Sequence, residues 1–223
     1  MNFSQISASD RVFLFKRCIG LKPGTFHHKN RIVTSLAENT GMNNSANTAL
    51  IVAETQKWLE KAVIGLNLCP FAKAEHVHGR IRYSVSDATQ PTDLLLALEH
   101  EITFLLAQDP AKTETTLLIV PHMLADFLDY NDFLDEADSM LEHADPDVQL
   151  QIASFHPDYQ FAGSAADDMD NYTNRSPYPM LHLLREDSVE RAVQAFPEAE
   201  LIYERNIATL RKLGLAGWKT MLA

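Results

Sequence analysis

Apolar residues first fall into register around Ile51. Together with Thr55, Trp58, Leu59, Ala62, Val63 and Leu66 it marks one helical face, so residues 48–68 are predicted to form an amphipathic helix. Residues 81–85 alternate as a strand with one buried face. Pro91, Thr92 and Asp93 then open a second helix, with a stripe of Leu94, Leu95, Leu98, Ile102, Leu105 and Leu106 that ends at Asp109-Pro110. Residues 117–120 are continuously apolar, as in an interior strand. Phe127, Tyr130, Leu134, Ala137 and Leu141 mark a third helix, which stops near Asp145-Pro146.

Val148, Leu150 and Ile152 alternate with Gln149 and Gln151, which predicts a strand with one wet face. Residues 180–184 are the fourth strand. Asp187 with Glu190 resembles a capping box that opens a helix. A last helix is expected from about Ala199 to Leu213, closed by Gly214.

Strands separated by helices require crossovers. The expected fold is therefore a single α/β domain over residues 46–223, with a mixed, mostly parallel sheet of about four strands flanked by helices. Residues 81–196 have the element order of thioredoxin-like folds, an analogy that carries no function.

Residues 1–45 break this regularity. Six basic groups (Arg11, Lys16, Arg17, Lys22, Lys29, Arg31) face two acidic ones (Asp10, Glu38), giving +4 and leaving -15 of the total -11 for the remainder. The apolar patch at residues 12–15 is too short for a secretory h-region, and Met42 would open the chain equally well. A poorly ordered N-terminal extension is expected there, with an organelle-targeting peptide as the alternative.

The chain has 223 residues, 46% of them hydrophobic and 22% charged, the profile of a soluble globular protein. A net charge of -11 repels polyanions, so nucleic acid is not the expected partner. No apolar run is long enough to span a membrane. Two cysteines, Cys18 and Cys69, make no disulfide framework and favour a reducing, cytoplasmic compartment. Composition leaves the oligomeric state open.

The richest stretch for chemistry is His156 to Pro179, over twenty residues without helical or strand period. Its aromatics Tyr159, Phe161, Tyr172 and Tyr178 and its prolines predict a packed loop. Because it joins the third and fourth strands, it is expected to bring His156 and His182 into one neighbourhood. Arg175, Asn174, Tyr159 and Tyr178 would supply contacts to a small carboxylate or phosphate. Structural readings stand beside this one. His156 and His182 can be satisfied core or edge histidines, and Arg175 can pair with Asp167, Asp168 or Asp170 to hold the loop shut.

Cys69 lies in the bend Asn67-Leu-Cys-Pro-Phe-Ala-Lys73. If a helical turn starts at Pro70, the thiol becomes an N-cap beside free N–H groups, which favours thiolate; if Cys69 merely ends the first helix, it stays inert. Ala72 occupies the place of a second cysteine, so C-x-x-C exchange is excluded. Cys69, His156 and His182 lack the spacing of a compact metal motif. His76 and His78 share a face only in an extended segment, and read as the surface of a loop entering a strand. The glycine and terminal Glu of a calcium loop are missing from residues 168–172, and no phosphate-cradling glycine loop, nucleophile elbow or zinc-protease motif occurs. Two glycosylation sequons, at Asn171 and Asn174, carry no meaning without secretion.

Four strings carry a resemblance: Gly65–Ala72 (GLNLCPFA), Phe155–Ala162 (FHPDYQFA), Asn171–Pro179 (NYTNRSPYP) with residues 181–185 (LHLLR), and Tyr203–Asn206 (YERN). In these the chain resembles a bacterial family known as a domain of unknown function, from about Thr48 to Trp218. The resemblance implies no reaction, cofactor or substrate. It does place Cys69, His156, Arg175 and His182 in the recognisable strings, and leaves His76 and His78 outside them.

Two functions follow as expectations. One is an enzyme with Cys69 as nucleophile, His156 or His182 as acid/base, and Arg175 anchoring a small anion. The other is a non-catalytic module in which the 156–179 loop binds a small anion or a partner protein. Metal binding is a third option.

Overall fold

The computed structural model describes residues 41–144, 150–195 and 201–223. Of the extension expected over residues 1–45, residues 1–40 lie outside the described residues, as do Cys18, the strand start at Val148 and the helix start at Ala199, while residues 41–45 belong to the first helix.

The first helix, α1 (Gly41–Trp58), continues into a π-helical turn over Leu59–Ile64. Ile51, Thr55, Trp58, Leu59, Ala62 and Val63 are buried at the anticipated spacing. Thr55 returns its hydroxyl to the Ile51 carbonyl at 2.9 Å and so satisfies its polarity inside the helix. Gly65 is demanded by the π-turn, since a Cβ there would lie 2.3 Å from the Lys61 carbonyl oxygen. Asn67, at φ 55°, turns the chain out of the helix.

After the bend comes α2 (Ala72–Val77), in keeping with the helical turn left open at Pro70; it runs through His76, where a loop was expected, and His76 and His78 are therefore not on one extended face. His76 instead lies 3.3 Å from Glu60. Then follow β1 (Ile81–Val85), α3 (Pro91–Ala107) with proline in its first turn, and β2 (Thr115–Ile119). Helix α4 (Phe127–Ala144) is capped by Asp126, whose carboxylate accepts the N–H groups of Leu128 and Asp129. Next come β3 (Leu150–Phe155), a 3-10 turn (Met169–Thr173) inside the long loop, and β4 (Met180–Arg185). Helix α5 (Glu186–Ala195) starts directly off β4, and α6 (Ile202–Leu222) closes the chain.

The sheet order is β1-β2-β4-β3. β1 and β2 are parallel, while β4 is antiparallel to both of its neighbours, β2 and β3. Three strands thus run one way, and the last strand in sequence inserts against them between β2 and β3. All five residues of β2 are buried, as the continuous apolar run required.

Helices cover both faces. Leu118, Leu150, Ile152, Leu181 and Leu183 pack under α3 and α4. Leu117, Ile119 and Met180 pack under α1, the π-turn and α6. The second layer overturns the wet face expected of β3: Gln151 is only 5% exposed, and its side-chain amide has no hydrogen-bond partner among the described residues. Alternation reports which residues share a face, and not whether a helix covers it.

Gly214 does end a helical run, with φ 65° and ψ 169°. Beyond it, however, the chain resumes a helical arm that the periodicity did not reveal. That arm carries Trp218, which is buried against the Tyr172 ring at 5.2 Å. Before the kink, Arg211 clamps Asp170 through Nε and Nη2 at 2.7 and 2.6 Å, tying α6 to the 3-10 turn.

Candidate functional site

The 156–179 loop is packed, as its aromatics demanded. Asn171, fully buried, is its hub. Its Oδ1 accepts the Phe161 N–H at 3.0 Å and the Ser164 hydroxyl at 2.7 Å, and its Nδ2 donates to the Ala165 carbonyl at 2.7 Å. Asn174 is also fully buried and donates to the Ser154 carbonyl at 2.9 Å. Tyr159 is buried between Phe127 and Phe161 at ring distances of 5.1 and 5.0 Å. Asn174 and Tyr159 are therefore built into the packing of the loop.

The two histidines do not meet. His182 is paired with Ala153 across the β3–β4 ladder, and His156 follows three residues later on the β3 side. An odd offset reverses the face of the sheet. His156 packs against Phe127 and Tyr130 of α4, whereas His182 lies beside Phe155 on the α1 side. The shared neighbourhood expected from the loop's two ends is thus corrected: the ends are close along the sheet, but the rings point to opposite sides.

Both histidines are also held. The Nδ1 of His156 accepts the Asp158 N–H at 3.0 Å, so Nε2 carries the proton and donates to the Leu124 carbonyl at 2.9 Å. Leu124 has φ 58°, and this bond pins its unusual backbone in place. Burial holds the His156 imidazole below its ordinary pKa. For His182, Thr115 gives its hydroxyl proton to the Leu183 carbonyl at 2.6 Å and so accepts from Nε2 at 2.8 Å. Burial pushes the His182 imidazole down to about 4.

Cys69 sits against the α1-side core. The Phe71 and Ala72 N–H groups reach the thiol, as an N-cap would. Burial outweighs them, and the thiol pKa is raised rather than lowered. The helix that follows has six residues, too short to add much dipole. Among the described residues, no three His, Cys, Asp or Glu side chains converge so as to hold a metal ion.

Arg175 stands elsewhere. Its Nε donates to the Tyr159 carbonyl at 3.3 Å and its Nη2 to the Ala166 carbonyl at 2.6 Å, while the guanidinium lies 4.4 Å over the Tyr172 ring. It bonds carbonyls and not the neighbouring aspartates, because Asp170 is taken by Arg211. Arg175 lines a cleft of about 470 Å³ between α1, the loop and the arm after Gly214.

Lys57 and Glu54 of α1 line that cleft, with Trp58, Tyr172, Trp218 and Lys219. Glu54 accepts the Tyr178 hydroxyl, and with burial this pushes the phenol up to about 12. Lys57 donates to the terminal main-chain oxygen of Ala223 at 2.8 Å. Neither Cys69 nor either of the two histidines is among the lining residues.

Of the residues proposed from sequence, Arg175 therefore lines the cleft and Tyr178 adjoins it through Glu54. Glu54, Lys57, Trp58, Trp218 and Lys219 were missed. The available signal was on α1, where Glu54 and Lys57 flank the buried stripe and sit at i and i+3. Nothing local announced Trp218 and Lys219.

A second hollow, of about 450 Å³, lies at the end of β1, where Ser84, Asp87, Asp93 and His100 line it around Glu101. Glu101 is 3% exposed, and its carboxylate is kept ionised by Arg82 at 2.7 and 3.0 Å and by Ser84 at 2.9 Å. No helix among the described residues is long and apolar enough to cross a membrane.

Among known proteins, the model of a family described as a protein of unknown function (DUF1415) matches residues 50–220. No curated protein and no solved structure matches.

Proposed function

The chain belongs to the DUF1415 family of proteins of unknown function, and on that premise we propose that it binds a small organic anion in the cleft between α1, the 156–179 loop and the C-terminal arm. The observation that carries this reading is the composition of one concave surface. Arg175, Lys57 and Lys219 line it beside the rings of Trp58, Tyr172 and Trp218. Its volume falls in the range of small-molecule sites, roughly 300–1,000 Å³. The anionic head would meet the cations, and the apolar body would lie against Pro157, Pro177 and Leu215, above the buried rings. This is the non-catalytic binding expectation, with α1 and the arm added to the loop.

Two tryptophans are present in the whole chain, and both line this cleft. Quenching of intrinsic fluorescence by small carboxylates and phosphates is therefore a direct assay. Saturable quenching is expected. It should be lost in Arg175→Ala and preserved in Cys69→Ser. Quenching that survives Arg175→Ala in a folded protein would move the ligand elsewhere.

The thiol-enzyme reading keeps one observation in its favour, the Phe71 and Ala72 N–H groups directed at Cys69. Alkylation by iodoacetamide in a Cys18→Ser background tests it. The raised thiol pKa leads us to expect reaction only at alkaline pH, and an inflection well below about 8.5 would restore Cys69 as a nucleophile.

A further inference from the structure

Resting on the reading of the cleft as an anion site, we propose that its ligand class is a small monocarboxylate with an apolar body, gripped by the free end of Arg175. The arginine is already fixed in place. Its Nε and Nη2 donate to the Tyr159 and Ala166 carbonyls at 3.3 and 2.6 Å, and the guanidinium lies 4.4 Å over the Tyr172 ring. Its main-chain carbonyl is held in turn by the Trp58 indole. Little rotamer freedom is left for a ligand to remove.

These bonds leave one edge of the guanidinium unused. Nη1 has no hydrogen-bond partner among the described residues, and Nη2 has spent one of its two hydrogens. Together they form a fork of two parallel N–H donors on a residue that lines the cleft. The spacing of that fork matches the two oxygens of a carboxylate, whereas a lysine ammonium meets them only as a point charge.

Electrostatics limits the head to a single negative charge. Lys57 is engaged by the terminal main-chain oxygen of Ala223, and Glu54 by the Tyr178 hydroxyl. Arg175 and the exposed Lys219 therefore share the lining with one carboxylate, that of Glu54. A monoanion balances this set. A phosphate monoester, at about 1.5 to 2 negative charges near neutral pH, overfills it beside Glu54. The body is set by what the lining leaves uncovered. Leu215 is 44% exposed and Pro157 and Pro177 are half-buried, while Trp58, Tyr172 and Trp218 lie buried beneath. Taking that aliphatic surface out of water favours an apolar group next to the carboxylate.

The test titrates the full chain with hexanoate, n-hexyl phosphate, hexanamide and acetate, read by calorimetry. Hexanoate is expected to bind about tenfold more tightly than each of the other three. Nitrogen-15 spectra of the guanidinium groups should show the Arg175 Nη signals shifting as hexanoate is added, a readout that needs no substitution in the loop. Arg175→Lys keeps the charge and loses the fork, and should weaken hexanoate by about tenfold or more. Equal or tighter binding of n-hexyl phosphate overturns the carboxylate class while leaving an anion site. Acetate binding as tightly as hexanoate overturns the apolar body, and Nη signals that stay put while hexanoate binds overturn the grip of Arg175. If hexanamide matches hexanoate, or if none of the four binds, this proposal falls together with the reading on which it rests.

Discussion

The indole N–H of Trp58 donates to the Arg175 carbonyl at 2.9 Å, joining α1 to the long loop across more than a hundred residues of chain. The same indole packs edge-on against Phe155 at 5.4 Å. A core residue of the first helix thus sets the backbone of the one sequence-proposed anchor that faces the cleft.

Replacing Trp58 by Phe keeps a ring beside Phe155 and removes the donor. The Arg175 carbonyl then loses its partner in a covered position, at a cost of roughly 1–3 kcal/mol. For a domain of this size that corresponds to about 2–4 °C in melting temperature per kcal/mol. Thermal unfolding reads the loss, and anion affinity should fall with it. An unchanged melting temperature would show the bond to be dispensable.

Asn171→Ala deletes four side-chain bonds at the loop's hub, one of them a long 3.5 Å contact to the Ala166 carbonyl. The Phe161 N–H, the Ser164 hydroxyl and the Ala165 carbonyl lose their common partner, and we expect about 2–3 kcal/mol of destabilisation. Hydrogen exchange should rise first at Phe161, before the sheet is affected.

The buried histidines make stability sensitive to acid. The folded pKa of His182 is about 4 against an ordinary 6.5. Between these values the unfolded chain takes up a proton that the native chain refuses, so stability is present above pH 6.5 and falls as the pH drops toward 4. The limit is on the order of 3 kcal/mol. His156 acts in the same direction, since protonating its Nδ1 forfeits the Asp158 bond. In His182→Gln, an amide can still donate to Thr115 and does not titrate. Denaturant unfolding of this variant from neutral pH down to about 4 should show a shallower acid loss than the unsubstituted chain.

Gly65→Ala forces a Cβ to 2.3 Å from the Lys61 carbonyl oxygen. Backbone cannot yield as a side chain does, so the π-turn must rearrange, at a cost of about 2–3 kcal/mol. Loss of stability with altered Cys69 reactivity is expected, because Leu68 and Cys69 hang from the Val63 carbonyl at the end of that turn. Equal stability of the Gly65→Ala protein in denaturant would mean that the turn is not needed.

Much of the fold was legible because burial is written into local period. Ile51 to Val63 declared one helix face, residues 117–120 an interior strand, and the Gly214 stop was read from the glycine alone. The loop's packing was legible in its aromatics. The side of the sheet on which each histidine lands required the register of β4 between β2 and β3, which is a long-range pairing and leaves no local trace. Gln151 shows the same limit: its alternation was right, but the cover supplied by distant helices was not written nearby.

Local pattern was enough to say which segments become helices and strands, that His156 to Pro179 forms a packed loop, and that Arg175 was a candidate anchor. Which of these residues meet depended on the folded chain. Folding set His156 and His182 on opposite faces and kept the Cys69 thiol protonated by burial. It also brought Lys57 and Lys219 to one cleft with Arg175. Period and propensity act over a few residues, whereas burial, pKa and the company a charge keeps are set by segments that the chain returns from far away.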